Sequence, residues 1–159
     1  SMLRRGVVDL KSTYALVTEP VDESRFWPDR CLIWEAADPY FYARTTADNR
    51  VMMGGADLPF RSAMIRDRLI PRRAERLRLK FSGMFPEIGA EIASCWAGTF
   101  GETADGLACA GESPEFPGAL FALAFGGNGT TFSVILARLI DDLIAGRPND
   151  AARLFRFDR

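Results

Sequence analysis

The sequence predicts an α+β fold: a largely antiparallel sheet, a central amphipathic helix, and a C-terminal succession of strand, glycine turn and helix. Three observations carry this expectation. Short runs rich in β-branched and aromatic residues, joined by tight polar connections, occupy the first third of the chain. Apolar residues Ile70, Ala74, Leu77, Phe81 and Met84 then recur at alternating gaps of four and three, the spacing of one buried helical stripe. Near the end an apolar run enters Gly126-Gly127-Asn128-Gly129 and resumes with helical periodicity.

Taken in order, Thr13 to Thr18 reads as a strand closed by Glu19-Pro20, because proline removes a ladder donor. Asp22 to Asp29, polar and holding Pro28, reads as a loop. Cys31 to Glu35 and Tyr40 to Thr46 follow as strands hinged at Asp38-Pro39, and Asp48-Asn49 turns the chain into Val51-Met52-Met53. The helix covers about 71–84, with Pro71 in its first turn and Pro86 and Gly89 ending it. Ile92 to Phe100 is the next strand, leading to Gly101 and a turn at Ala104-Asp105-Gly106. A last strand, Leu120 to Phe125, feeds the glycine turn. The helix after it shows a broad apolar face of Phe132, Ile135, Leu136, Leu139, Ile140 and Leu143, and stops at Gly146-Arg147-Pro148.

Composition limits the chemistry. The 159 residues are 48% hydrophobic and 26% charged, ordinary for one soluble folding unit. With 20 basic against 21 acidic residues the net charge is −1, so bulk electrostatics favours neither nucleic acid nor an anionic membrane. The chain has no histidine, which excludes imidazole-ligated zinc, every Ser-His or Cys-His catalytic pair, and flavin tethering through a histidine. Cys31, Cys95 and Cys109, odd in number and widely spaced, suggest no disulfide framework and fit the reducing cytoplasm. Cys31 and Cys95 read as core residues of apolar strands. No run approaches the roughly 20 apolar residues of a membrane span, and Ser1-Met2 reads as a cloning remnant.

Three groups of residues could carry function. The turn Gly126, Gly127, Asn128, Gly129, Thr130, Thr131 allows close backbone approach to a ligand and opens a helix whose free N–H groups favour negative charge. It lacks the spacing of the dinucleotide fingerprint, and its glycines could equally serve a tight strand-to-helix reversal. Tyr40, Tyr42 and Arg44 share one strand face at period two, a row able to orient a small anion or to act as a structural cross-strand ladder. Between Arg61 and Lys80 lie eight basic and two acidic residues; without interleaved aromatics for base stacking, this reads as the solvated face of the helix.

Trp96-Ala97-Gly98, Thr103-Ala104-Asp105-Gly106-Leu107, Gly111, and the Ala124-Phe125-Gly126-Gly127-Asn128-Gly129 turn with its helix resemble the C-terminal part of the FAD-dependent D-amino acid oxidase family, which includes glycine oxidase and sarcosine oxidase. The Tyr40 to Arg44 strand and the Val51 to Gly55 strand are similar to that family's substrate-domain hairpin. The resemblance implies a C-terminal portion of a flavin-dependent oxidoreductase that oxidises an amino acid or secondary amine by hydride transfer. It implies a substrate-binding sheet over residues 1–104 and a segment, 105–159, that completes the domain holding noncovalent FAD. The adenine and pyrophosphate site would belong to a missing N-terminal FAD-binding domain, so this portion alone would be inactive, free of flavin, and prone to self-association through exposed apolar surface. Gly126 to Thr131 would lie along the flavin ring, the Asp105 to Gly111 stretch beside it, and Tyr40, Tyr42, Arg44 and Phe100 near the substrate. One departure stands out: Phe100 occupies the position where the family's amino-acid oxidases hold the substrate carboxylate with an arginine. A stand-alone ligand-binding or protein-interaction module is the alternative expectation.

Overall fold

The computed structural model describes residues 8–113 and 115–159; the Ser1-Met2 pair lies outside them. Five strands form the larger sheet, β1 (Asp9–Thr18), β2 (Ile33–Trp34), β3 (Phe41–Thr45), β4 (Val51–Pro59) and β5 (Ile92–Glu102), in the order β2-β3-β4-β1-β5. The pairs β2–β3, β3–β4 and β1–β4 are antiparallel. Glu19 N–H donates to Glu91 O (2.8 Å) where β1 ends and β5 begins, so these two also run in opposite directions.

β1 and β4 are both longer than their sequence signals. Beyond Met53 the run Gly54-Gly55-Ala56-Asp57 lacks strand formers, yet it is held as strand by β3 on one side and β1 on the other. A bulge interrupts the register there, with Gly55 at φ 118° and Ala56 at φ 55°. Glycine is required at 55, since a Cβ would meet the Tyr40 carbonyl. β2, in contrast, shrinks to two residues. Cys31 lies outside it and is exposed, which corrects the expectation of a core cysteine; its carbonyl accepts the Trp27 indole N–H at 2.8 Å.

Two helices cover one face of this sheet. α1 (Ala63–Arg68) was not evident from periodicity, having only six residues; Ser62 caps it by accepting the Ile65 N–H at 3.2 Å. α2 (Ile70–Met84) matches the expected helix and buries Ala74, Leu77 and Phe81. Met84, expected on the same stripe, is 43% exposed in the last turn. Tyr14, Leu16, Phe41, Ala43, Val51 and Met53 rise from the strands to meet this stripe. The polar loop before β2 adds Trp27, edge-on to Phe81 with ring centroids 6.0 Å apart.

The chain divides into two compact units, Lys11–Thr99 and a second made of Phe100–Arg159 with the first residues of β1. In the second, β6 (Cys109–Ser113) and β7 (Phe116–Leu123) form a separate antiparallel ribbon, so the described strands make two sheets. β7 begins before the expected Leu120 and ends before Ala124, whose φ of 61° breaks the strand. α3 (Gly129–Ile144) packs Phe132, Leu136 and Leu139 on Ala108, Ala110 and Phe155. Its apolar face is narrower than expected, because Ile135 and Leu143 are 38% and 40% exposed. Gly146 (φ 64°) closes the helix, with Arg147 N–H donating to Asp142 O at 2.9 Å. Among the described residues no helix is long and apolar enough to cross a membrane.

Candidate functional site

Strand alternation separates two faces in the larger unit. In β3, Phe41 and Ala43 point into the core at 1% and 0% exposure, which sends Tyr42 and Arg44 to the face opposite α1 and α2. The register aligns Trp34, Tyr42, Gly54 and Ala15 across four strands, and Arg44, Met52 and Val17 in the neighbouring row. Tyr40, just before β3, stacks on Tyr42 with centroids 6.2 Å apart and ring planes 23° from parallel. The structure therefore brings Tyr40, Tyr42 and Arg44 together. Arg44 Nη2 donates to the Met52 thioether at 3.3 Å, a weak acceptor that steadies the exposed guanidinium without neutralising it.

Gly54 explains how Tyr42 lies down on the sheet. A Cβ there would overlap the end of the Tyr42 ring, so the phenol occupies the space that any other residue would fill. Burial pushes the Tyr42 phenol above its ordinary range, the Asp57 carboxylate pushes it further, and Arg44 partly opposes both. Tyr42 is thus a neutral hydroxyl donor at physiological pH. Gly54 and Asp57 were not evident from sequence; the available signal was a glycine in a strand directly opposite a tyrosine.

In the smaller unit, Gly126 (φ 56°) starts a 3₁₀ turn, Gly126–Asn128, in which Asn128 N–H donates to Phe125 O at 3.3 Å. α3 follows for 16 residues, and the Asn128 side chain does not cap it. The first N–H groups of α3 thus have no side-chain acceptor at the cap, while the helix dipole places positive potential on them. Gly127, Asn128, Thr130 and Thr131 are exposed, and Gly126 and Gly129 half-buried. Small residues and a helix start without a side-chain cap have the chemistry that the electron-rich edge of a flavin ring, with its nitrogen and carbonyl acceptors, would call for. Phe100, half-buried in the C-terminal part of β5, falls in this unit.

The Asp105 turn is committed to structure. Its carboxylate accepts from Arg159 Nε (2.7 Å) and Nη2 (3.0 Å), from Leu107 N–H (3.1 Å) and from the Thr103 hydroxyl (2.9 Å). The Arg159 bonds foremost, then the Leu107 and Thr103 bonds, hold the acid well below the usual carboxylate range. Arg159 also donates to the carbonyls of Leu107 (2.6 Å) and Ala108 (3.1 Å). A carboxylate tied this way stays ionised and does no proton transfer at neutral pH.

Residues 2–143 match the family model of FAD-dependent oxidoreductases, which places the chain in the class of flavin-dependent redox proteins. Within that class, the chain belongs to the DAO family. Its fold is shared with glycine oxidase from Geobacillus kaustophilus (TM-score 0.70, 21% identity, covering 95% of this chain and 39% of that one). It is likewise shared with L-proline dehydrogenase from P. horikoshii (TM-score 0.71, 15% identity, 96% and 40%). The FAD-complexed glycerol-3-phosphate dehydrogenase from Bacillus halodurans is a more distant likeness (TM-score 0.55, 20% identity, 93% and 30%). At these identities the likeness is one of fold, and the chain spans about two fifths of the length of the first two structures. A search of curated protein sequences finds no match.

Proposed function

We propose that this chain supplies the substrate face and one cofactor edge of a flavoenzyme that oxidises an amino acid or secondary amine. In this reading a further domain holds the adenine and pyrophosphate half of FAD, and residues 105–159 complete that domain. Bound FAD would supply the hydride acceptor, taking hydride from a carbon next to an amine nitrogen.

The observation that carries this reading is the uncapped start of α3 behind the Gly126–Asn128 turn. Gly126, Gly127 and Gly129 let the backbone come close, and the N–H groups of Gly129, Thr130 and Thr131 stabilise negative charge gathering at the ring edge. Tyr42 donates a hydrogen bond as a neutral phenol. Tyr40 and Tyr42 present an aromatic wall to the apolar part of the substrate, and Arg44 supplies a cation for a carboxylate where the substrate has one. Phe100 contributes apolar surface where an arginine would bind that carboxylate, which favours an amine without an α-carboxylate or shifts the task to Arg44. No side-chain base is required, because the lone pair of a neutral amine drives hydride departure and water hydrolyses the imine. Exposed Val134, Ile135, Leu143 and Ile144 along α3 support burial of this helix by another domain, or self-association in its absence.

The test is to purify the product of the gene that encodes this chain, record its flavin spectrum, and add amines and amino acids anaerobically. Bleaching of the oxidised flavin band by one of these classes, with turnover restored by oxygen or a dye acceptor, is the expected result. Bound flavin that none of them reduces overturns the assignment.

A further inference from the structure

The helix-covered face of the sheet carries a cavity of its own. A cavity of about 260 Å³ opens between α1 and the strands β1 and β4, within the larger unit. Its polar lining consists of Ser12, Tyr14, Arg61 and Arg66, and its apolar lining of Leu58, Pro59, Ile65 and Leu69. We propose that this cavity binds a small organic carboxylate, separately from the chemistry on the opposite face.

The charge balance points to an anion. Ser12 and Tyr14 are 3% and 2% exposed, and neither hydroxyl has a hydrogen-bond partner among the described residues. Buried hydroxyls at a cavity wall are ordinarily satisfied, so both have donor capacity for a ligand. Arg66 is held by Asp67 (Nε, 2.7 Å) and by Thr99 (Nη1, 2.8 Å), which fixes the guanidinium and leaves its other terminal nitrogen uncommitted. Arg61 has no ion-pair partner among the described residues. Arg73 adds positive charge behind the wall: its guanidinium lies 5.9 Å from the Tyr14 ring centroid, and its buried Nε has no hydrogen-bond partner among the described residues. No carboxylate lines the cavity. Of three arginines near Tyr14, only Arg66 is neutralised by an acid, so a ligand carboxylate would complete the site.

The apolar wall makes the ligand organic, since a bare inorganic anion would leave Leu58, Pro59, Ile65 and Leu69 in contact with water. The volume falls below the roughly 300–1,000 Å³ of drug-sized sites, which limits the ligand to a short branched chain. The basic run from Arg61 to Lys80 thereby acquires a role beyond solvation: its first turn guards this opening.

Calorimetric titration of this chain with 4-methylpentanoate, 4-methylpentanamide and inorganic phosphate tests the proposal and needs no flavin, so its outcome is independent of the redox assignment. The carboxylate is expected to bind, with the neutral amide and phosphate each weaker by about tenfold or more, the size of one charge-assisted hydrogen bond. Arg61→Gln is expected to weaken the carboxylate by about tenfold and Tyr14→Phe by a few-fold. Arg76→Gln, which removes an exposed α2 charge away from the cavity, should leave binding unchanged. Circular dichroism melts verify that each variant folds. Equal affinity for acid and amide, absence of binding, or an Arg76→Gln effect equal to that of Arg61→Gln overturns the proposal; so does phosphate binding as tightly as the carboxylate.

Discussion

The two faces of the five-stranded sheet are built from the same strands, residue by residue in alternation, and they solve opposite problems. Towards the helices, Tyr14, Leu16, Phe41, Ala43, Val51 and Met53 interlock with Ala74, Leu77 and Phe81, and all of these are at 2% exposure or less. Away from them, the same strands present Trp34, Tyr42, Gly54 and Arg44, with Trp34 63% exposed. One face fills space with volume. The other creates it, by placing a glycine where a tyrosine must lie flat. Stability therefore resides on the first face and the ligand chemistry proposed above on the second, with the Ser12–Tyr14 cavity a polar interruption of the closed side.

The largest expected effect breaks the closed face. Phe81→Ala removes a fully buried ring that also meets Trp27 and Phe85, and should destabilise the larger unit by about 3–5 kcal/mol. Urea unfolding followed by tryptophan fluorescence measures it; a loss below about 1 kcal/mol would show that the helices are dispensable to that face. Next is Gly54→Ala, which inserts a methyl group where Tyr42 rests and should cost about 1–3 kcal/mol through overpacking. A double-mutant cycle with Tyr42→Ala assigns the cause. If the clash is with this ring, Gly54→Ala costs little once Tyr42 is already alanine, and the Tyr42 ring NMR signals of the single variant move away from the native shifts. Unmoved signals would mean that the glycine serves only the backbone.

How far the sequence could be read follows the same division. Helix α2 was legible from Ile70 to Phe81 because its stripe meets one continuous surface, so period and burial coincide. Met84, in the last turn, departs from that stripe and is 43% exposed. The row Tyr40-Tyr42-Arg44 was legible because strand alternation is local. The partner positions Gly54 and Asp57 were not, because they reach Tyr42 through the register of a strand whose second half contains two glycines and a bulge. The Arg159 clasp on Asp105 spans 54 positions, and no local pattern announces an arginine as the closure of a distant turn. Cys31 misled for the converse reason: an apolar neighbourhood in sequence, Cys31-Leu32-Ile33, lies at the sheet edge, where Leu32 is 65% exposed.

The finest distinction between the faces is electrostatic, and Asp57→Asn probes it with the smallest expected change. Tyr42 is raised first by burial and then by the Asp57 charge, so replacing Asp57 lowers the phenol towards its ordinary value near 10 without reaching it, because burial persists. Arg44→Gln should move it the other way. For an acid raised in the folded state, the unfolded chain loses its proton first as pH climbs. Tyr42 thus contributes stability that is fully present below about pH 10 and declines between the unfolded and folded pKa values. Asp57→Asn brings these two values closer and narrows the alkaline window of decline; Arg44→Gln widens it. Ring NMR titration of Tyr42, with Tyr42→Phe assigning the signals, reads both shifts directly. Equal shifts in the same direction for the two variants would mean that neither charge faces the phenol, and that the open side of the sheet is set by burial alone.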